Sequence, residues 1–435
     1  MRRLLVLLVA AGACGGDSTG TDGGASSDGG SGIDGSVVGV DGGSVDPPPK
    51  VQVTWSPNAT FIDQPQLPLV TAHDDVKHVY TIDAAGAKAA SLDLSVGRVL
   101  VIYGMALRTI KTSTAMGSSV VLTTDPAALT DALTKADIEW QQTLAFNPAN
   151  AGVPETGMSA PITIDDLMVS QGHLVYTTTV NGIDISITID MAGDSLTLNL
   201  VGEKKIAGKS VGKFTATGMI SKMVSQNVIQ IDNGMVQQWS HVDNGLTGNL
   251  QLDLVAAGSL DDALNFTVPI PLMKFPLVVA FIPTEVDVGC QIVVMGHVPA
   301  DGSVMAHADF AFDSDLGLEY ANHSLSAMGR VGNFTVTPNG VNQTASSGAV
   351  TSNFGIGFPD ISVSMFGGSL VGSIDTAFLV NGTYTPMPAC LSADTDFLAS
   401  GKVDLSILGR IALGSSSVLL WEKKMPVLRS GMCPP

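Results

Sequence analysis

Apolar and polar residues alternate along most of this chain, and the alternation predicts strands. Ile183-Asp-Ile-Ser-Ile and Leu196-Thr-Leu-Asn-Leu-Val201 repeat with a period of two, and Leu107-Arg-Thr-Ile-Lys-Thr-Ser113 does the same. Val99-Leu-Val-Ile-Tyr103 is a continuous apolar run of the kind buried on both faces. Asn-Gly pairs at 181-182, 233-234, 244-245, 339-340 and 381-382 predict tight turns between neighbouring strands. The expected fold class is therefore all-β: an antiparallel meander, sandwich or open barrel. Ile270 to Ile282 contains too many prolines for a helix and reads as an edge or core strand. One short helix is expected near 126–135, with Thr124 or Asp125 as cap, Pro126 at the first position and Ala127, Leu129, Ala132 and Leu133 as its apolar face.

Punctuation divides the chain. The expected divisions are 1–13 as a signal peptide and 14–50 as a lipid anchor and tether, on the residues given below, then 51–155 as a β module with the single helix and 156–435 as a large antiparallel β domain. Pro148, Pro154 and Pro161 mark the internal boundary. The tether from Gly15 to Lys50 is Gly, Asp, Ser and Thr with almost nothing to bury, so it behaves as a coil with a reach of roughly 30–36 Å.

The opening MRRLLVLLVAAGAC sets two arginines before a short apolar run and small residues before Cys14. Its layout resembles a bacterial lipobox, with Ala11 where Leu is most common. The run is shorter than the roughly 20 residues a spanning helix needs. The tether resembles those of surface lipoproteins from myxobacteria and related Gram-negative bacteria. The resemblance implies lipidation of Cys14 with fatty acyl chains such as palmitate. It also implies the outer membrane as location, facing the periplasm or the cell exterior, because Gly15 stands where Asp would mark inner-membrane retention. LRTIKTSTAMGSSVVLTTDPAALTDAL resembles a segment of uncharacterised secreted bacterial β-proteins and implies no activity.

Charge narrows the partners. The formal net charge of -19 and the scarcity of clustered Lys and Arg beyond Lys204-Lys205 and Lys423-Lys424 exclude nucleic acid and disfavour anionic lipid for the surface as a whole. Of the 4 cysteines, lipidation consumes Cys14. Export then permits a disulfide, and Cys390 with Cys433 is the preferred pair because it pins the C-terminal tail; three separate buried thiols, Cys290 included, is the competing reading.

Motifs that carry chemistry lack the context they need. Gly193-Asp194-Ser195-Leu196 spells the start of a GDSL-type hydrolase but sits between two strands, and the Asp-x-x-His that family places downstream occurs only upstream, at Asp75 to His78. Gly202 to Ser210 approaches a phosphate loop but has the wrong spacing and a following strand, so it reads as a basic hairpin. His73, Asp74, Asp75 and His78 crowd one segment without a distant ligand, and Asp313, Asp315 and Glu319 form only part of a calcium pattern. Aromatic residues are 5% of the chain, too few for the girdles of a transmembrane barrel. The expectation is a protein with no catalytic residues, metal or cofactor: a structural or adhesion-like interaction scaffold that meets protein or glycan. The alternative is a binder of lipid or another apolar ligand, using strands between Phe266 and Phe312, where Val278, Val279, Phe281, Ile292, Val293 and Met295 lie.

Overall fold

The computed structural model describes residues 46–74, 76–144, 146, 166–170, 172–180, 182–257, 266–299, 301–338, 342–345, 348–366, 369–409 and 416–433. The expected signal peptide, Cys14, nearly all of the tether and the proline-marked boundary lie outside these residues.

The chain is all-β. Its strands are, in order, β1 (Lys50–Trp55), β2 (Ala59–Ile62), β3 (Val70–Asp74), β4 (Val79–Asp83), β5 (Val99–Ile102), β6 (Ala106–Met116), β7 (Ser119–Pro126) and β8 (Leu133–Leu144). They continue with β9 (Asp166–Ser170), β10 (His173–Val180), β11 (Ile183–Ala192), β12 (Ser195–Ile206), β13 (Lys209–Ser221), β14 (Met223–Asp232), β15 (Met235–Ala257) and β16 (Phe266–Val279). The last are β17 (Ile282–His297), β18 (Ser303–Ala321), β19 (Ser324–Pro338), β20 (Asn342–Thr344), β21 (Val350–Met365), β22 (Ser369–Pro386), β23 (Ala389–Val403) and β24 (Ser416–Gly431).

The described strands form three sheets. A 12-stranded sheet runs β1-β8-β14-β15-β13-β12-β11-β10-β9, with β18 on the other side of β15 carrying β19 and β20. A 6-stranded sheet, β16-β17-β21-β22-β23-β24, packs against it. A second 6-stranded sheet, β2-β5-β6-β7-β4-β3, lies wholly in the N-terminal segment and has its own core around Tyr80, Ile82, Leu100 and Leu122. Among the described residues every pairing is antiparallel except β2 with β5. Strands β1 and β8 precede the proline-rich segment yet pair into the large sheet through β14, so this sheet crosses residue 155.

Alternation explains which side faces inward. In β11, Ile183, Ile185, Ile187, Ile189 and Met191 are buried, while Asp184, Ser186, Thr188 and Asp190 face out. Between the two large sheets lies an aromatic cluster. Phe378 contacts Phe310, Phe312 and Phe397 with ring centroids 5.4, 5.0 and 4.7 Å away, and Trp421 closes on Phe397 at 5.2 Å. Such rings dominate core energetics through the area each buries.

The N-terminal sheet closes one end of this sandwich. Leu100 and Ile102 of β5 belong to its own core, while Val99 and Val101 pack on the large core, which is why the run Val99–Ile102 is buried on both faces. Trp55 stacks on Phe61 at 4.7 Å and meets Phe281 of the β16–β17 turn at 4.8 Å. The Gly104 amide donates to the Phe281 carbonyl at 2.9 Å, and those of Leu129 and Thr130 to Ile407 and Leu408 at 2.8 and 3.0 Å.

The helix near 126–135 is present as a single turn, Leu129–Ala132 (α2), with the Asp131 carboxylate accepting from the Ala128 amide. Thr124, Asp125 and Pro126 extend β7 instead of capping it, because the buried Thr124 hydroxyl donates to the His78 carbonyl at 3.0 Å. A six-residue helix, Ala84–Ala89 (α1), is capped by Asp83 through the Gly86 amide, and a 3-10 turn spans Gln64–Leu69. Two Asn-Gly pairs are not turns. Asn244-Gly245 is a bulge inside β15, and Asn381-Gly382 is regular strand in β22. No helix among the described residues is long and apolar enough to cross a membrane.

Candidate functional site

The residues singled out in sequence are not gathered into one place. Cys14 lies outside the described residues. Cys390 and Cys433 are joined as a disulfide with Cα atoms 4.8 Å apart, linking β23 to the tail after β24. Cys290 is a buried free thiol whose pKa is pushed well up by burial and by the nearby Asp360 charge. Gly193 and Asp194 form the β11–β12 turn, and the Ser195 hydroxyl only returns to the Ala192 carbonyl at 3.2 Å. Residues 202–210 are a hairpin with no helix after it.

His73 and Asp74 lie on β3, His78 is in the following turn and Asp75 is outside the described residues. Asp313, Asp315 and Glu319 are on β18, where Asp315 pairs with Arg330 at 3.2 Å and Glu319 accepts from Gln238 at 2.8 Å. Among the described residues no group of three or more His, Cys, Asp or Glu is arranged to hold a metal. Of the candidate ligand lining, Val279, Phe281 and Ile292 are core, whereas Val278, Val293 and Met295 are not.

What the fold does assemble is a polar outer face. The register sets Thr177, Ser186, Val201, Thr215, Asp253 and His307 side by side across six strands. The neighbouring row is Val175, Thr188, Asn199, Thr217, Gln251 and Asp309. None of these positions is aromatic, and most are hydroxyl, amide or carboxylate. Over β10–β12 this face dips into an open depression of ≈ 340 Å³ bordered by Thr177, Thr179, Asp184, Ser186 and Glu203.

His307 is held at both ring nitrogens, with Nδ1 2.6 Å from Asp253 and Nε2 3.2 Å from Asp309. Burial opposes its charged form, but the hydrogen bonds and charges of Asp253 and then Asp309 outweigh it and raise its pKa. Both nitrogens are thereby committed, which leaves the ring no free position for a metal or for proton transfer.

A second polar group lies inside. Asn227, His241, Ser225 and Asp243 are all buried on the inner face of β14 and β15. His241 Nδ1 is 3.0 Å from Asn227 Oδ1, its Nε2 is 3.2 Å from Asp243 Oδ2, and Asn227 Nδ2 donates to Ser225 Oγ at 3.3 Å. Trp239 stacks on the imidazole. Serine, histidine and aspartate are thus present, but Asn227 stands between ring and hydroxyl, so the serine has no base to take its proton. Sequence reading missed this group, and its signal was the polar His241 and Asp243 at inward positions of a strand.

The outer face of the smaller large-core sheet is acidic. Asp360 pairs in register with Asp375, and both have raised pKa values, chiefly from burial. Asp287 is pushed up to about 7, by burial first and then by Glu285, against the pull of Lys274.

No protein-family model matches the chain, and no curated protein and no solved structure matches it either.

Proposed function

We propose that the chain is a non-catalytic surface lipoprotein of the outer membrane, anchored by acylated Cys14 and acting as an adhesion-like β-scaffold. The observation that carries this reading is the outer face of the 12-stranded sheet, where short polar side chains stand in cross-strand rows over a core packed with aromatic rings. A rigid ladder of hydroxyls, amides and carboxylates offers many hydrogen bonds at little ordering cost, which suits a glycan chain or a polar protein surface. The lipid-binding alternative has less support, since the strands between Phe266 and Phe312 spend Val279, Phe281, Ile292 and Phe310 on the core.

Cell fractionation tests the anchor. Cys14→Ser should leave the membrane fraction after a wash at about 0.5 M salt, where surface charge attraction is screened. Retention of the variant under that wash would contradict lipid anchoring. On the face itself, Thr188→Arg with Thr217→Arg should abolish capture of a glycan or protein partner that the parent retains on whole cells. Undiminished capture would move the contact surface elsewhere.

A further inference from the structure

The register gives the sandwich a direction. Along β15, Met235 lies beside Asp232 and Ala256 beside Gly212 and Val304. The Met235 end is the one closed by the N-terminal sheet. At the other end lie the β12–β13 turn, the β22–β23 turn and the disulfide-bound tail, since Ile206 pairs with Lys209, Pro386 with Ala389 and Cys390 with Gly431. The two large sheets share this direction, because Phe214 packs edge-on against Phe354, and Val294 lines a crevice with Gly212 and Leu254.

Among the described residues no further sheet covers this second end, the open end. Ile206, at the end of β12, and Met387 and Met432, each following a strand, stand there 50, 91 and 71% exposed. Around Ile206 the hairpin places Lys204, Lys205, Lys209 and Lys213, four of the 21 basic residues in a chain of net charge -19. Lys205 is engaged by Glu203 at 2.9 Å and by Asp184 at 3.7 Å, while Lys209 and Lys213 are exposed to solvent. An exposed apolar tip flanked by lysines, with two more apolar tips at the same end, matches the two layers of a bilayer surface, acyl boundary and phosphate.

The N-terminal end of β1 points the same way. Lys50 of β1 pairs with Glu139, and upstream the Asp46 carboxylate accepts from the Thr143 amide at 2.8 Å and from its hydroxyl at 2.6 Å. Since β8 pairs with β14, and β14 with β15, the step from Lys50 to Asp46 travels toward the open end. From Trp55 back to Asp46 the described chain therefore runs toward the end that carries the apolar tips.

We propose that the open end is a membrane-docking surface: Ile206, Met387 and Met432 enter the head-group layer of a phospholipid bilayer and the hairpin lysines meet its phosphates. The acidic remainder of the surface is repelled by the same phosphates, which orients the body away from the membrane. Docking rests on the lipoprotein reading only for how the chain is brought to the bilayer.

The test uses the full chain carrying Cys14→Ser, which has no acyl anchor, floated with vesicles at low salt. It should float with phosphatidylethanolamine–phosphatidylglycerol vesicles and remain behind with pure phosphatidylcholine. Combining Ile206→Asp, Met387→Asp and Met432→Asp should lower the bound fraction at least about tenfold, while Met116→Asp, at the closed end, should leave it unchanged. A chain that stays soluble with both vesicles, or a triple variant that floats like its parent, overturns docking. Because acylation is absent throughout, these results stand apart from the cell-fractionation test of the anchor. Unchanged thermal melting of the triple variant would show that lost binding is not lost folding.

Discussion

The two ends of the sandwich are finished differently. At one, Trp55, Phe61 and Phe281 interlock and a whole sheet is spent on closure. At the other, Ile206, Met387 and Met432 are left in solvent, beside the disulfide that fixes the tail. Burial of large rings stabilises the closed end. Exposed apolar residues occur at both ends, Val76, Val96 and Met116 around the N-terminal sheet among them, so it is the lysines beside Ile206 that set the second end apart. The difference separates an end whose large rings are spent on stability from one that combines exposed apolar tips with clustered lysines.

Substitutions at the closed end should therefore be the most damaging. Phe281→Ala removes a fully buried ring and is expected to cost about 3–5 kcal/mol in chemical denaturation. A loss near zero would mean that the N-terminal sheet is only loosely applied. Of similar size is His241→Leu, about 3–5 kcal/mol, because it strands the buried Asp243 without its partner. Adding Asp243→Leu should recover most of that loss, and a double variant no better than the single would show that the pair is not coupled.

Next comes the disulfide at the open end. Cys390→Ser frees a tail joined across a sequence separation of 43 and should cost about 2–4 kcal/mol under oxidising conditions. Adding reductant to the parent should produce the same shift in midpoint.

The acidic face adds a pH dependence. The folded chain keeps a proton on Asp287 up to about pH 7, whereas the unfolded chain releases it near pH 4. Stability from this group is thus complete below about pH 4 and declines as pH rises toward 7. Asp287→Asn should stabilise the protein at pH 8 on the order of 1–2 kcal/mol, an amount moderated by the part of the side chain that still sees water. At pH 4 it should change little, and an equal effect at both pH values would assign the gain to packing. Smallest of all, Met387→Ser at the open end should leave the denaturation midpoint within about 0.5 kcal/mol of the parent.

Strand identity was largely legible in sequence, because a period of two leaves no ambiguity where Ile and Leu alternate with Asp, Ser and Thr, as in β11 and β12. Pairing at a distance was not. Nothing local announces that Leu133–Leu144 joins Met223–Asp232, or that β2 runs parallel to β5. Alternation beginning at Leu133 did signal that the helix stops early, but the cap-like Thr124, Asp125 and Pro126 read more strongly. Asn244-Gly245 looked like a turn because Gly supplies positive φ, and here Gly245, at φ 71, uses it for a bulge that reverses which residues of β15 face inward. That reversal takes His241 and Asp243 into the core. The polar ladder was invisible for a different reason, since it exists only once register aligns residues from six strands. The hairpin lysines were legible, but not that Met387 and Met432 share their end.

Energy transfer on membrane-bound protein tests the end-on arrangement most directly. Strand β15 alone spans 23 residues, roughly 75 Å of extended chain, so labels at its two ends are well separated. With the acylated protein on vesicles that carry an acceptor lipid, a donor attached at Met387→Cys should transfer efficiently, and one at Met116→Cys should transfer weakly. Equal transfer from both positions, or stronger transfer from residue 116, would contradict docking through the open end.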